Sequence, residues 1–499
     1  MMSQYNFYYD ESEHSRKINQ KTITAANYYD NFIAVVVGWR SEYETDLHCR
    51  YTAFEEKYKY RQSKGELKST TIRQSQLEHG FASLNNDNVS LLEDFLVLFD
   101  EGVHIYFAVI SKIEYIIRQL FEDYRNSFLV DMDAMKYSII KAVVLYQPTD
   151  IIYGFYENTQ ELIGLLKKFF TAQIEKDREN EGIKEKEIGQ YYQILMLLDD
   201  ILTVKTIDWD YGISFDGFKR YLSERSIKNY SLVIDKEGEN SNTAKAAERE
   251  GLTAVSEADS LTFCGIRMAD MLAGLISKLM KALHSALSYR SEEEQVRKKT
   301  LGSMWFDVSE QQLSLYKRLH NVVVDLNKSW YKSFSGIYSD DLIALVALLN
   351  FMSHFESVEA IKSDITMQGE YYNAYTCECL FDYYKRMQNK LPIIPVDSTS
   401  KDYFLNQQGA KVYFDINKQP LLEIAKDRIV CDVLSVGCSQ EMIPFITIVE
   451  ASKSKCYRLP VELSEWVLTL IGFANMGENL FPSKVVFSKT KDRLYADIL

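Results

Sequence analysis

Tyr5-Asn6-Phe7-Tyr8-Tyr9-Asp10-Glu11-Ser12 is the stretch on which the fold turns. Alternating and β-branched or aromatic residues favour a strand, and this one ends in two adjacent carboxylates. A carboxylate at a strand end is fixed on a rigid element and still reaches solvent, a placement suited to divalent-metal chemistry. Strand-end acids are also common turn residues, so the motif gains meaning only if acids from elsewhere converge on it.

Working outward, Phe32 to Trp39 is a continuous apolar run, as expected of a strand buried on both faces. Lys21-Thr22-Ile23-Thr24 is a candidate strand between the two. A helix is expected at about 42–60, a polar segment at Gly65 to Thr70, a helix at 91–99 and a strand over Val103 to Ile110. From about 112 to 204 the apolar spacing turns helical, as in Leu162-Ile163-x-Leu165-Leu166-x-x-Phe169-Phe170. Tyr230 to Asp235 then repeats the opening pattern, an apolar strand ending in Asp. A short strand at 253–255 and a helix from Gly265 to about Tyr289 follow. That helix sets Asp270 among apolar residues, where a lone acid costs free energy unless it is paired or metal-bound.

The highly charged run 290–299 reads as a junction, and 309–390 as mostly helical. Six of the seven prolines lie at or after Pro392. That shift marks a different C-terminal module, with strands expected at 412–415, 428–436, 445–449 and 485–488. The expected architecture is therefore α/β: residues 1–290 with a helical insertion at about 112–225, a helical segment at 300–391, and a mixed α+β module at 392–499.

The 499 residues are 46% hydrophobic, enough for a large core, and the mean hydropathy of −0.23 is that of an ordinary globular chain. The formal net charge is −14. Proteins that coat duplexes carry a basic face, so the acidity argues against that class, but not against a metal-dependent nuclease with an acidic site. Seven scattered cysteines, an odd number, fit reduced thiols better than a disulfide scaffold. The polar start lacks a signal-peptide pattern, and the longest apolar runs are too short to span a bilayer. The expectation is a cytoplasmic protein with no membrane association.

Four elements supply acids: Asp10 with Glu11, Glu66, Asp235, and Asp270. Three are expected at or beside a strand end and the last on a helix. Metal-assisted phosphodiester hydrolysis needs several oxygen ligands around ions about 3.5–4 Å apart. Hard cations prefer carboxylates to His or Cys, so an all-carboxylate set points to Mg²⁺ or Mn²⁺. Phosphate-binding, dinucleotide-binding and nucleophile-elbow motifs are missing from the sequence. His14, four residues after Asp10, is a candidate proton carrier.

On these motifs the chain resembles a bacterial domain-of-unknown-function family with a ribonuclease H-like fold. Its members open with Asp-Glu-Ser-Gly, carry a Glu-Leu/Phe-Lys motif, end a late strand in Asp, and close with an Ile-Gln-x-Ala-Asp-Leu-x-Ala-Gly helix. Here these stand as Asp10-Glu11-Ser12-Glu13, Glu66-Leu67-Lys68, Leu232-Val233-Ile234-Asp235, and Gly265-Ile266-Arg267-Met268-Ala269-Asp270-Met271-Leu272-Ala273-Gly274. Order and approximate spacing agree over residues 1–290; residues 300–499 lie outside the resemblance. Glu13 replaces Gly in a turn, and Arg267 replaces Gln one helical turn before Asp270, a spacing that permits pairing with Asp270 or contact with a phosphate.

The resemblance implies metal-dependent nucleic-acid chemistry. Asp10 would bridge two metals, Glu66 and Asp235 would bind one each, and Asp270 would complete the set. Glu11 would be an auxiliary ligand or a structural residue, and Lys68 would orient the phosphate or pair with Glu66. The implied activity is hydrolysis of RNA or DNA, with a role in phage defence by analogy. Residues 300–499 would then bind a protein partner or mediate self-association. Two other readings stay open: a non-catalytic interaction or sensor protein that keeps the fold, and a strand transferase of transposase or integrase type. The latter predicts a basic DNA-binding segment that the sequence lacks.

Overall fold

The computed structural model describes residues 4–13, 28–124, 132–157, 159–178, 181–201, 212–236, 241–288, 299–329, 331–388, 403–405, 411–413, 419–424, 428–438, 443–450, 453–475, 480–490 and 493–499. The strand expected at 21–24, His14 and the charged run 290–298 lie outside them. The chain divides into two compact units, one of residues 1–122 and 134–383, the other of residues 123–133 and 384–499.

The first unit is a mixed α/β structure. Its strands are β1 (Tyr5–Ser12), β2 (Asn31–Arg40), β3 (His104–Ser111), β4 (Tyr230–Asp235), β5 (Val255–Ala258) and β6 (Ser333–Ser335), in the order β5-β4-β1-β2-β3-β6. β2 runs antiparallel to both β1 and β3; the pairs β1–β4, β4–β5 and β3–β6 are parallel. Nine consecutive residues of β2, Asn31 to Trp39, are buried, which is why this strand reads as an unbroken apolar run.

Helices α1 (Glu44–Lys57) and α2 (Asn86–Leu96) separate β2 from β3. Among the described residues six more lie between β3 and β4, where the helical insertion was expected: α3 (Lys112–Leu120), α4 (Met132–Tyr146), α5 (Thr149–Glu157), α6 (Thr159–Asp177), α7 (Glu181–Asp200) and α8 (Gly212–Glu224). α9 (Asn242–Arg249) joins β4 to β5, and α10 (Cys264–Leu287) follows β5.

Alternation along the strands sends successive side chains to opposite faces. On one face Phe7, Tyr9, Leu232 and Ile234 pack with Phe215, Phe218 and Tyr221 of α8 and Ala246 and Ala247 of α9. On the other, Tyr8, Val35 and Val233 pack with the apolar residues of α10. Leu301, Trp305, Leu313, Leu345 and Tyr372 belong to that same second core. So the segment expected as a separate helical region at 300–391, with α11 (Glu310–His320), α12 (Asp340–Ser353), α13 (Val358–Lys362) and α14 (Gln368–Gln388), packs into the first unit as far as residue 383 and adds β6 to its sheet. The buried apolar side chains of α10, Ile266, Leu272, Ile276 and Leu279 among them, are each worth about 1.5–3 kcal/mol when fully buried, which makes such a face too costly to leave in water.

The second unit carries an antiparallel sheet, β11-β10-β9-β12-β13, built from β9 (Ile429–Cys438), β10 (Pro444–Glu450), β11 (Lys453–Arg458), β12 (Ser483–Thr490) and β13 (Arg493–Ile498). Val467 of α15 (Ser464–Asn475) packs with Val433, Ile446, Val485 and Phe487 in its core. A two-stranded ribbon pairs β7 (Tyr403–Leu405) with β8 (Lys411–Tyr413).

Candidate functional site

The acidic positions meet because of strand register. Tyr9 of β1 lies opposite Ile234 of the parallel β4, so Asp10 and Asp235 are the next residues on neighbouring strands, which run about 4.8 Å apart. Asp10 shares the face of its cross-strand partner Val35, and Asp235 follows Val233; both residues mark the face covered by α10. By the same alternation Glu11 points to the opposite face with its partner Ala34. There its carboxylate acts on the buried phenol of Tyr9. Glu11 thus belongs to a different face from the other acids, at odds with an auxiliary ligand on the α10 side.

Asp270 reaches the cluster from α10, and two glycines of its motif bring the helix close. A Cβ on Gly265 would come within 2.1 Å of the Tyr8 ring on β1. One on Gly274 would lie 2.2 Å from Cβ of Ser69. Small residues here are therefore what lets α10 touch both the strand and the 66–69 segment. Ser69 exploits that approach: its backbone N–H and its hydroxyl each donate to the Asp270 carboxylate at 2.9 Å. Its carbonyl accepts from Nζ of Lys278, two turns further along α10, at 3.0 Å.

Glu66 does not sit beside a strand of the sheet. It follows a turn at Gly65 (φ +91°) and pairs back to Ser63 in an isolated bridge. Its buried carboxylate accepts from the Ser260 hydroxyl at 2.8 Å and pairs with Nζ of Lys68 at 2.7 Å.

Arg267 contacts neither Asp270 nor open solvent. Its guanidinium holds Glu55 of α1 through two bonds of 3.1 and 2.9 Å, both partners buried, and also donates to the Ser260 carbonyl. Glu55 in turn accepts from the backbone N–H of Leu67 at 3.3 Å. The Gln-to-Arg departure therefore ties α10, α1, Ser260 and the Glu66 segment together. Glu13, where the resembled motif has Gly, keeps a left-handed backbone (φ +61°) and pairs with Lys281 of α10 at 2.7 Å. Sequence reasoning missed Ser69, Ser260, Glu55, Lys278 and Lys281. All are ordinary polar residues in sequence, and only the docking of α10 gives them partners.

The electrostatics follow this geometry. Burial pushes the Asp10 carboxyl well above the ordinary aspartate range, and the neighbouring charges of Asp270, Glu11 and Asp235 push the same way, against one backbone hydrogen bond from Glu11. Burial also raises Asp235, with Glu66 adding to the shift and Lys68 opposing it. For Lys68 burial works against the charged form, yet Glu66, Asp270 and Asp235 together hold its ammonium above the usual lysine range. Asp10, Asp235, Asp270, Glu66 and Lys68 therefore share one electrostatic neighbourhood at the C-terminal ends of β1 and β4.

The donor set fits a hard divalent cation in kind. It is four carboxylates without thiol or imidazole, and Asp10 is a half-buried acid whose strongest electrostatic neighbours include other acids. In arrangement it is not a closed shell: among the described residues no group of three or more His, Cys, Asp or Glu side chains is positioned to hold an ion as it stands.

No family model, no curated protein and no solved structure matches this chain. Among the described residues no helix is long and apolar enough to cross a membrane.

Proposed function

We propose that residues 1–290 form a ribonuclease H-like nuclease domain that hydrolyses RNA or DNA phosphodiesters with Mg²⁺ or Mn²⁺. The observation that carries this reading is the adjacency of Asp10 and Asp235 on parallel strands, with Asp270 brought against them by α10. The strand run β5-β4-β1-β2-β3, with β2 antiparallel to its neighbours, supports the fold assignment. A buried carboxylate crowded by other carboxylates is costly, and a function that needs negative charge at that point accounts for its presence.

In this reading Asp10, Asp235, Asp270 and Glu66 hold the cation, which supplies Lewis-acid activation of water and charge neutralisation at the phosphate. Ser69 fixes the Asp270 carboxylate through two donors. Ser260 fixes Glu66. Lys68, about two-fifths exposed, presents positive charge from the solvent side of Glu66, where a substrate phosphate would approach. The role of residues 384–499 in this scheme is to engage a protein partner or a second copy, and phage defence is the biological setting the motif resemblance suggests.

The test is cleavage of fluorescently labelled single-stranded and duplex RNA and DNA with Mg²⁺ or Mn²⁺, comparing wild type with Asp10→Asn. The proposal expects metal-dependent cleavage that the variant loses. A second reading, a non-catalytic interaction protein, is favoured by the unformed coordination shell. It expects no calorimetric Mn²⁺ binding and no effect of Asp10→Asn on any partner.

A further inference from the structure

The two outer strands of the second unit's sheet, β11 and β13, are finished in different ways. A sheet edge presents unpaired N–H and C=O groups, and proteins blunt it with lysine, proline, a bulge or a covering segment. β11 is blunted. The Arg458 N–H donates to the Pro420 carbonyl and the Leu422 N–H to the Arg458 carbonyl, both at 2.8 Å, so residues 420–422 occupy the end of that strand. The exposed Lys455 lies further along it. β13 has none of these devices. It carries no proline or lysine and pairs with β12 without a register shift, and among the described residues no strand lies on its outer side.

The phase of this edge follows from one bond. The Leu499 N–H donates to the Lys484 carbonyl at 2.9 Å, and Ile498 lies opposite Val485. Hydrogen-bonded and non-hydrogen-bonded pairs alternate along an antiparallel ladder. The N–H and C=O groups of Leu494, Ala496 and Ile498 therefore point away from β12. The side chains of the same three residues belong to the core that Val467 of α15 enters: Ala496 is buried there, while Leu494 and Ile498 are only partly covered. Tyr495 and Asp497 alternate to the opposite face, and both are exposed.

A second copy of β13 matches this edge. Laid antiparallel about a two-fold axis at Ala496, it sets Ala496 opposite Ala496, and Leu494 opposite Ile498 of the other copy. All of these residues have outward N–H and C=O groups, so each facing pair exchanges both of its bonds. Leu494 and Ile498 continue the apolar face across the junction and lose their remaining exposure. On the other face Tyr495 falls opposite Asp497, a phenol donor against a carboxylate, and the two Asp497 side chains never face each other. Such a contact uses the same patch on both chains and closes at two copies.

We propose that this protein self-associates through β13, two chains joining their five-stranded sheets edge to edge about an axis at Ala496. The inference rests on the part of the reading above that gives residues 384–499 a second copy to engage, and it is independent of the nuclease chemistry.

The test is the mass of the full chain in solution, by sedimentation velocity and light scattering over a concentration series. The chains are wild type, Tyr495→Asp, Tyr495→Asp combined with Asp497→Lys, and Ala496→Pro. The expected wild-type species has twice the mass of the 58.0 kDa chain. Tyr495→Asp sets like charges opposite each other at both symmetric positions and weakens association by about tenfold. Adding Asp497→Lys makes each pair one of opposite charges and restores it. Ala496→Pro removes an outward N–H, a change that an edge strand tolerates, and abolishes the dimer. Circular dichroism checks the fold of each variant; Tyr495 is 44% exposed, so its substitution keeps the test decisive whatever happens at the buried Ala496. A monomeric wild type overturns the proposal and leaves the edge to a strand of another protein. A dimer that Tyr495→Asp leaves unchanged, or that the added Asp497→Lys fails to restore, overturns it as well. Cleavage of labelled nucleic acid by the same preparations decides the nuclease reading separately, because Tyr495, Ala496 and Asp497 lie outside the candidate site.

Discussion

Two aspartates near the same end of the sheet, the half-buried Asp10 and the buried Asp30, have opposite surroundings. Asp30 immediately precedes β2 and accepts from the Ser111 hydroxyl, the backbone N–H of Ile113 and the Tyr28 hydroxyl, with Lys112 close by. Burial raises its carboxyl, and every one of those partners pulls it back down. Asp10 is raised by burial too, but most of its neighbours push the same way. A buried acid surrounded by donors holds a fold together. An acid surrounded by acids adds to the cost of its own burial.

The comparison is broken or sharpened by giving both residues the same change. The largest expected effect is on chemistry: Asp10→Asn lowers metal-dependent cleavage by about a thousandfold, equivalent to about 4 kcal/mol of transition-state stabilisation, measured as initial rates on labelled substrate. Asp30→Asn leaves cleavage per folded molecule near wild type. Equal loss of cleavage in both variants would show that the two acids are not different in kind.

Stability should move in opposite senses. Asp30→Asn places an amide among donors and costs about 3 kcal/mol, read as a lower denaturant midpoint. Asp10→Asn removes a repelled charge and raises stability by about 1 kcal/mol at neutral pH without added metal.

Gly274→Ala probes the contact that delivers Asp270. Its Cβ would meet Ser69 at 2.2 Å, so the substitution costs about 2 kcal/mol of overpacking and weakens Mn²⁺ binding, both measurable on one preparation.

The pH dependence has a fixed sign. The folded state keeps a proton on Asp10 that the unfolded chain has already released, so the folded state binds more protons between the ordinary aspartate range and the raised one. Stability from this group therefore falls as pH rises through that window. The advantage of Asp10→Asn over wild type should grow across it, and saturating Mn²⁺ should reverse the order. Thermal melts at several pH values check this. The smallest expected change is Glu13→Gly. It relieves a left-handed non-glycine conformation but gives up the Lys281 ion pair, for a net gain of about 0.5 kcal/mol.

Much of the central sheet could be read from the chain. β1, β2, β3 and β4 each announce themselves by alternation or by an unbroken apolar run, and the insertion between β3 and β4 by helical spacing. β6 could not be read, because three residues carry no periodicity and its pairing with β3 is set by tertiary contact. Nor could the attachment of Leu301 to Tyr372 to the first core, since a helical apolar stripe does not name its partner. In the candidate site, Asp10, Asp235 and Asp270 were legible as acids at the ends or on the faces of strong elements. Glu11 was legible only as their neighbour in sequence, and the two-residue repeat of a strand turns it to the other face.

The sequence by itself determined which residues carry charge into the apolar elements, because composition and period are local properties of the chain. Tertiary structure alone decided which of those charges meet. The register of β1 against β4 sets Asp10 beside Asp235, and the glycine contacts of α10 lay Asp270 and Ser69 together. Arg267 is spent on Glu55, and the ammonium groups on which Asp270 acts are those of Lys68 and Lys278. Electrostatic interaction falls with distance through space, not along the chain, so only the folded arrangement separates an acid whose neighbours stabilise its charge from one whose neighbours oppose it.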